Sequence, residues 1–278
     1  MKEYIAHITN QLRDIYSEDE AHALAWWIVE ECTGMSRNEI LLGCKDTKNI
    51  PNLQAIIERL HQFEPIQYIF GHTLWNGLDL LVTPDTLIPR PETAELVEQI
   101  IRSFPNEKDK KAPLRVLDIG TGTGCIAIAL KRAFPHWEIT AVDVSEKALE
   151  IARRNANRNN VQIDFFRCDI LSDEFSSCGM FDIVVSNPPY ICEKEKKEMR
   201  ANVLDYEPAI ALFVPDKDPL LFYRQIASMR ITKHLFFEIN EHYASEMHAM
   251  LLEHGYTDIK QTNDIYGKTR IIQSRLSS

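Results

Sequence analysis

RVLDIGTGTGCIAIAL, residues 115–130, joins a short apolar run to a glycine-rich turn and a second apolar stretch. The run that ends at Gly120 is typical of a buried strand, and the residues from Cys125 onward have the apolar spacing of a helix. Strand-like and helix-like segments continue to alternate as far as the C-terminus. This alternation predicts an α/β fold in which helices cover both faces of a mostly parallel sheet.

Ligands of such sheets bind beyond the carboxyl ends of the strands, so the residues there are the first candidates for a site. The first strand is followed by a glycine loop made of Gly120, Thr121, Gly122, Thr123 and Gly124. Asp143 ends the second strand, where a carboxylate accepts hydrogen bonds from two ribose hydroxyls. We expect Asp169 and Ile170, after the third strand, to contact an adenine ring. Cys125 stands where an NAD-binding loop needs Gly or Ala, so the pattern favours another adenosine-bearing cofactor.

The fourth strand runs into Asn187, Pro188, Pro189 and Tyr190. Methyl transfer to an amide or ring NH2 needs two fixed oxygens that accept its hydrogens, and the Asn187 side chain and the Pro188 carbonyl supply such a pair. Two successive prolines stiffen the backbone, and Tyr190 offers a flat wall for a planar group. The proton is lost only after transfer, so no general base is required. An Asn-Pro sequence also occurs in ordinary turns that end a strand, so a turn without a catalytic role is the alternative interpretation.

The chain before the sheet divides into two further segments. Residues 1–66 have helical spacing, with capping-box pairs at Ser17 and Glu20 and at Ser36 and Glu39, and we predict a small helical domain there. Residues 67–90 mix aromatic and β-branched residues around Asn76-Gly77, which predicts a β-hairpin linker. Residues 91–278 would form the catalytic domain.

Charge and composition disfavour several classes of function. The formal net charge is −10 and the estimated pI is 5.4, which disfavours broad binding to nucleic acid and favours a protein or small-molecule partner. No pair among the six cysteines has C-x-x-C spacing, and no histidines cluster with them, so we predict no metal site. The chain shows neither an apolar signal-peptide core nor a run of 18 apolar residues, so we expect a cytoplasmic protein without a membrane span.

Longer motifs resemble a known family. DIGTGTGCIAIAL, AVDVSEKALEIARRNA and VSNPPYI are similar to class I methyltransferases, and LIPRPET (87–93) with DYEPAIALF (205–213) narrows the resemblance to the PrmC/HemK family. That resemblance implies a Rossmann-like, seven-stranded fold and S-adenosyl-L-methionine as cofactor. It also implies that the substrate is the glutamine of the Gly-Gly-Gln motif in class I peptide chain release factors, methylated at N5.

The resemblance also assigns roles. The glycine loop from Gly120 to Gly124 and Asp143 would bind the cofactor, with Asp169 and Ile170 near its adenine and Asn187 beside it. The residues from Asn187 to Tyr190 would hold the glutamine amide. Arg90 and Pro91 would belong to a loop beside the cleft, and the N-terminal domain would grip the release factor.

Three positions depart from the family pattern. Ala94 replaces the glutamate usual after the PET run, Pro219 replaces a glycine, and Asn240 replaces the glycine of an L-E-I-G run. Asn tolerates a positive φ, so we expect the backbone at residue 240 to keep a conformation suited to glycine.

Other functions fit parts of the same pattern. N6-adenine or rRNA base methylation uses the same chemistry but predicts a basic groove, against which the net charge argues. Glutamine methylation of a ribosomal protein is not separable by pattern. A sensor that binds an adenosine ligand without catalysis would be expected to lose the Asn or the prolines.

Overall fold

The computed structural model describes residues 1–43, 49–105, 113–172 and 179–277. The chain divides into two units, Met1–Phe70 and Gly71–Ser278. The charged composition of PNEKDKKAP (105–113) predicts a solvated loop, and this segment lies almost entirely outside the described residues.

The first unit is helical. Its helices are α1 (Lys2–Leu12), α2 (Glu18–Thr33), α3 (Arg37–Leu42), α4 (Leu53–His61) and α5 (Ile66–Phe70). Ser36 and Glu39 form a reciprocal capping box at α3, whereas at α2 the Ser17 side chain accepts from the Glu20 N–H. Ile8, Leu12 and Ile28 are fully buried in the shared core, because each lies on the apolar face of its helix. The boundary expected after residue 66 falls inside α5.

The second unit opens with the hairpin β1 (His72–Trp75) and β2 (Leu78–Leu81). Asn76 and Gly77 form its turn with φ of 47° and 72°, and a two-residue turn with both φ values positive matches the twist of the strands. The fully buried Asn155 side chain accepts from the Leu81 N–H at 2.7 Å and donates to the Leu81 carbonyl at 3.0 Å. The hairpin is thus tied to the rest of the second unit.

A seven-stranded sheet forms the centre of this unit, in the order β10-β11-β9-β6-β3-β4-β5. The strands are β3 (Arg115–Ile119), β4 (Glu138–Asp143), β5 (Asp164–Arg167), β6 (Phe181–Ser186), β9 (Thr232–Glu238), β10 (Tyr256–Asn263) and β11 (Thr269–Leu276). From β5 to β9 every neighbouring pair is parallel, and β11 is antiparallel to both of its neighbours. The α/β prediction is confirmed.

Helices cover both faces of the sheet. They are α6 (Pro91–Ser103), α7 (Cys125–Ala133), α8 (Glu146–Arg158), α10 (Leu221–Met229) and α11 (Ala244–Glu253). The short helix α9 (Ala201–Tyr206) has no buried residue. The short parallel pair β7 (Ile191–Cys192) and β8 (Phe213–Val214) lies after the Asn-Pro-Pro-Tyr segment. Two apolar clusters form the cores on the two faces, because strands buried on both sides carry apolar residues in unbroken runs.

The topology places the candidate residues together. Strand β3 lies between β4 and β6, so the chain leaves the sheet centre in opposite directions on the two sides of β3. Loops that diverge in this way leave a crevice at the carboxyl edge of the strands. Within the described residues, no helix is long and apolar enough to cross a membrane, and no three or more His, Cys, Asp or Glu side chains group as metal ligands.

Candidate active site

Backbone groups build the first part of the site. The Gly122 N–H donates to Asp143 Oδ2 at 2.9 Å, and the Ser145 N–H donates to Asp143 Oδ1 at 2.9 Å. The carboxylate at the end of β4 therefore fixes both its own turn and the glycine loop. Burial raises the pKa of the Asp143 carboxyl, although hydrogen bonds from backbone N–H groups oppose this shift.

Part of the loop faces the protein interior. Thr121 donates its hydroxyl to Oδ2 of the fully buried Asp118 at 2.6 Å, and burial raises the pKa of Asp118 to about 7. Thr123 is buried, and its carbonyl accepts from Asn155 at 2.9 Å. Gly124 has φ +82°, and an added Cβ would lie 3.2 Å from the Cβ of Ala152. Thr121, Thr123 and Gly124 thus support the loop from behind.

A cavity of about 290 Å³ opens in front of this loop. Eight of the predicted site residues line it: Gly120, Gly122, Asp143, Asp169, Ile170, Asn187, Pro188 and Pro189. Apolar side chains complete the lining, among them Val142, Phe222 and Ile226. The positions of Gly120 and Gly122 leave open space where a Cβ would stand. A carboxylate at one end and apolar walls for a flat ring suit the ribose and adenine of S-adenosyl-L-methionine.

A second cavity of about 280 Å³ adjoins the first. Leu87, Asn187, Pro188 and Ala211 line both cavities. Its remaining lining comes from Arg90, Tyr190, Ile191, Met199, Val203 and Leu212. Asn187 and Pro188 therefore stand where the two cavities meet.

A hydrogen-bond network from outside the Asn-Pro-Pro-Tyr segment holds both of its ends. Asn187 Nδ2 donates to Thr93 Oγ1 at 3.2 Å, and Thr93 donates to Glu238 Oε2 at 2.7 Å. The Tyr190 hydroxyl donates to Glu238 Oε1 at 3.1 Å. Burial, together with the nearby Glu238 carboxylate, raises the pKa of the Tyr190 phenol well above its usual value, so this hydroxyl keeps its proton.

An ion pair orders the loop before α6. Arg90 donates to Glu207 Oε1 at 2.5 Å, and the Ile88 N–H donates to Glu207 Oε2 at 3.3 Å. The Arg90 carbonyl accepts from Trp75 Nε1 in the hairpin at 2.7 Å. Arg90 lines the second cavity, whereas Pro91 is exposed in the first turn of α6 and lines neither cavity.

The expectation for residue 240 is wrong. Asn240 has φ −73°, so its backbone does not use the conformation that favours glycine. Its side chain instead donates to the Tyr190 carbonyl at 3.3 Å and to Glu195 at 3.3 Å, and it accepts from the His242 N–H. The departure from glycine thus adds contacts to the Asn-Pro-Pro-Tyr segment.

Thr93 and Glu238 were not among the residues predicted for the site. Thr93 stood within the quoted LIPRPET motif, and Glu238 is the single acid that ends the apolar strand β9. A buried acid at the carboxyl end of a strand is a signal for a polar network, but the sequence does not say which side chains it meets.

Fold and cavities together define the class: this is a class I, S-adenosyl-L-methionine-dependent methyltransferase. Residues 98–205 match the family model described as Methyltransferase small domain, and residues 3–71 match the PrmC N-terminal domain. A methyltransferase structure from Pyrococcus furiosus shares the fold, with a TM-score of 0.53 and 20% identity over 82% of this chain and 99% of that one.

Curated relatives specify the family. A release factor glutamine methyltransferase of Bacteroides thetaiotaomicron is 44% identical over 98% of this chain and 99% of its own length. Another, from Flavobacterium psychrophilum, is 42% identical over 98% of both chains. The chain belongs to the release factor glutamine methyltransferase family, and the resemblance seen in the sequence is confirmed.

Proposed function

We propose that this enzyme transfers a methyl group from S-adenosyl-L-methionine to the side-chain amide N5 of the glutamine in the Gly-Gly-Gln motif of class I peptide chain release factors. The observation that best supports the proposed substrate is that two cavities meet at Asn187 and Pro188. One cavity suits the cofactor, and the other suits a side chain that enters from a protein partner.

The cofactor side would be held by residues of the glycine loop and by Asp143. Gly120 and Gly122 let the backbone approach the ligand, and Asp143 accepts hydrogen bonds from ribose hydroxyls. Asp169 and Ile170 line the same cavity, and we assign them to the adenine. When bound, S-adenosyl-L-methionine supplies an electrophilic methyl group on a positively charged sulfur.

The substrate side must hold a poor nucleophile. The amide NH2 of glutamine donates two hydrogens, and the Asn187 side-chain oxygen and the Pro188 carbonyl accept them. Pro189 stiffens the turn, and the Tyr190 ring gives the planar amide a flat surface. Accepting both hydrogens holds the nitrogen in place and favours the positive charge that develops on it, so the residues need not remove a proton first.

Arg90 and the N-terminal unit would serve recognition. Arg90 lines the second cavity while it remains paired to the buried Glu207, so it shapes the entrance rather than reacting. The first unit would grip the body of the release factor. A protein substrate from translation supports the further proposal that the enzyme acts in the cytoplasm.

Methylation of nucleic-acid bases is the competing function. It would need a surface that attracts phosphates, and the net charge of −10 repels them. We therefore propose a protein substrate and no nucleic-acid substrate.

Labelled-methyl transfer from S-adenosyl-L-methionine tests this choice directly. Purified release factor, DNA, rRNA and ribosomal protein are offered separately, and a release factor whose motif glutamine is replaced by alanine is the matched control. We expect label in the intact release factor alone. Label in the alanine-substituted factor, or faster labelling of a nucleic acid or a ribosomal protein, would contradict the proposal.

A further inference from the structure

The side-chain amide of Asn187 has two ends of nearly equal shape and opposite polarity. One end is an acceptor oxygen and the other is a donor NH2 group. Holding a substrate NH2 requires the oxygen end, because the NH2 end would meet it donor to donor. Some feature of the protein must therefore decide which end faces the place where the two cavities meet.

Thr93 supplies that feature. Its hydroxyl has one hydrogen, which it donates to Glu238 Oε2 at 2.7 Å. Burial raises the pKa of the Glu238 carboxyl, whereas the hydrogen bonds from Thr93 and Tyr190 and the charge of Arg270 oppose that rise and favour the accepting carboxylate. Towards Asn187 the hydroxyl can then only accept, and Asn187 Nδ2 lies 3.2 Å from it. Within the described residues no donor is bonded to Asn187 Oδ1, so the oxygen stays available to a substrate.

Glu238 fixes the direction of the whole chain of hydrogen bonds. It ends β9 and its residue is 1% exposed, so water does not compete for its oxygens. Its second oxygen accepts from the Tyr190 hydroxyl at 3.1 Å. One carboxylate thus orders both the first and the last residue of the Asn-Pro-Pro-Tyr segment.

The start of α6 holds Thr93 in place. The Thr93 N–H donates to the Arg90 carbonyl at 3.2 Å, and the same carbonyl accepts from Trp75 Nε1 at 2.7 Å. Thr93 is 3% exposed. Its hydroxyl is therefore kept pointing between Glu238 and Asn187 by contacts that do not involve the substrate.

We propose that Thr93 and Glu238 are positioning residues that orient the Asn187 amide with its oxygen towards the substrate nitrogen. This inference rests on the proposed function. Neither residue touches the reacting atoms. They act by making the reversed orientation of the Asn187 side-chain amide unfavourable.

The test compares Thr93→Val with Thr93→Ser in the full-length enzyme. Valine matches threonine in shape but has no hydroxyl, whereas serine keeps the hydroxyl. We measure kcat and KM with purified release factor, the Kd of S-adenosyl-L-methionine by calorimetry, and the melting temperature. If the valine variant does not fold, Thr93→Ala takes its place against the same serine variant.

We expect Thr93→Val to lower kcat by about 10- to 100-fold, the range for one misplaced polar group in a catalytic site. KM and the cofactor Kd should stay within about threefold of the wild type, and Thr93→Ser should keep kcat within about threefold, because its hydroxyl restores the chain of hydrogen bonds. Equal kcat values in the two variants, or a loss confined to KM or cofactor affinity, would overturn the positioning role. A wild-type enzyme that fails to methylate release factor overturns the proposed function, and this inference with it.

Discussion

Two corners of the catalytic unit are built by different means. In the glycine-loop corner, Gly120–Gly124 with Asp143, the carboxylate is held by backbone N–H groups 2 and 21 positions away. The Asn-Pro-Pro-Tyr corner, Asn187–Tyr190 with Thr93 and Glu238, is held by side chains 48 to 145 positions apart. A backbone site tolerates many side chains, whereas a side-chain network depends on each member. We therefore expect substitutions in the first corner to affect binding and stability, and substitutions in the second to affect turnover.

The largest effect should follow from Asn187→Ala. Loss of the Asn187 oxygen leaves the substrate nitrogen with the Pro188 carbonyl as its single acceptor, and we expect kcat to fall by about 10³-fold or more. Cofactor affinity should change by only several-fold, because Asp143 and the glycine loop are untouched. Methyl transfer and calorimetry check the two quantities, with the exposed Asn157→Ala as the control. Undiminished turnover would remove Asn187 from its role.

Asp118→Asn tests the support behind the glycine loop through pH. Burial raises the pKa of Asp118 from 3.8 to about 7, so between these values the folded protein keeps a proton that the unfolded chain has released. The wild type should therefore lose stability as pH rises from 4 to 8. The free-energy cost of ionising the buried Asp118 in the folded protein should be fully present above about pH 7.

The asparagine variant lacks this titration. Its free energy of unfolding should gain about 2–4 kcal/mol relative to the wild type over that pH range. Urea denaturation at pH 4, 6 and 8 measures the difference. If the free energies of unfolding of the two proteins changed with pH in parallel, Asp118 would have the same pKa in the folded protein as in the unfolded chain.

Gly124→Ala separates packing from backbone strain. The new Cβ would meet Ala152 and Ile128 at 3.2 Å with φ at +82°, and we expect a loss of about 2–4 kcal/mol in the free energy of unfolding. Gly120→Ala is the matched control, since its φ is +71° but no atom lies within 4 Å of the added Cβ. That variant should lose about 1–2 kcal/mol, the cost of the backbone alone. Equal losses would show that the contacts with Ala152 and Ile128 contribute nothing.

The smallest effect is expected for Asp143→Ala. Cofactor binding should weaken by about 1–3 kcal/mol, the range for a lost charged hydrogen-bond partner. The kcat at saturating cofactor should change less than in Asn187→Ala. Calorimetry measures the affinity, and Asp164→Ala on the exposed edge strand is the control. Unchanged affinity would exclude the ribose contact and weaken the contrast between the two corners.

The sequence by itself determined the alternating α/β order, the hairpin at Asn76-Gly77 and the strand-end positions of Asp143 and Asn187. These features leave local signals, because a buried strand needs an apolar run and a tight turn needs residues that tolerate positive φ. The structure corrected one such inference, since Asn240 uses its side chain rather than a glycine-like backbone.

Only the tertiary structure decided the partners of the Asn-Pro-Pro-Tyr segment. Thr93 and Glu238 are 145 positions apart, and the chain places them together because α6 packs beside β9. The meeting of two cavities at Asn187 and Pro188 is likewise a property of several loops at once. Hydrogen bonds between side chains that are distant in sequence depend on the path of the whole chain, so a local pattern of residues does not predict them.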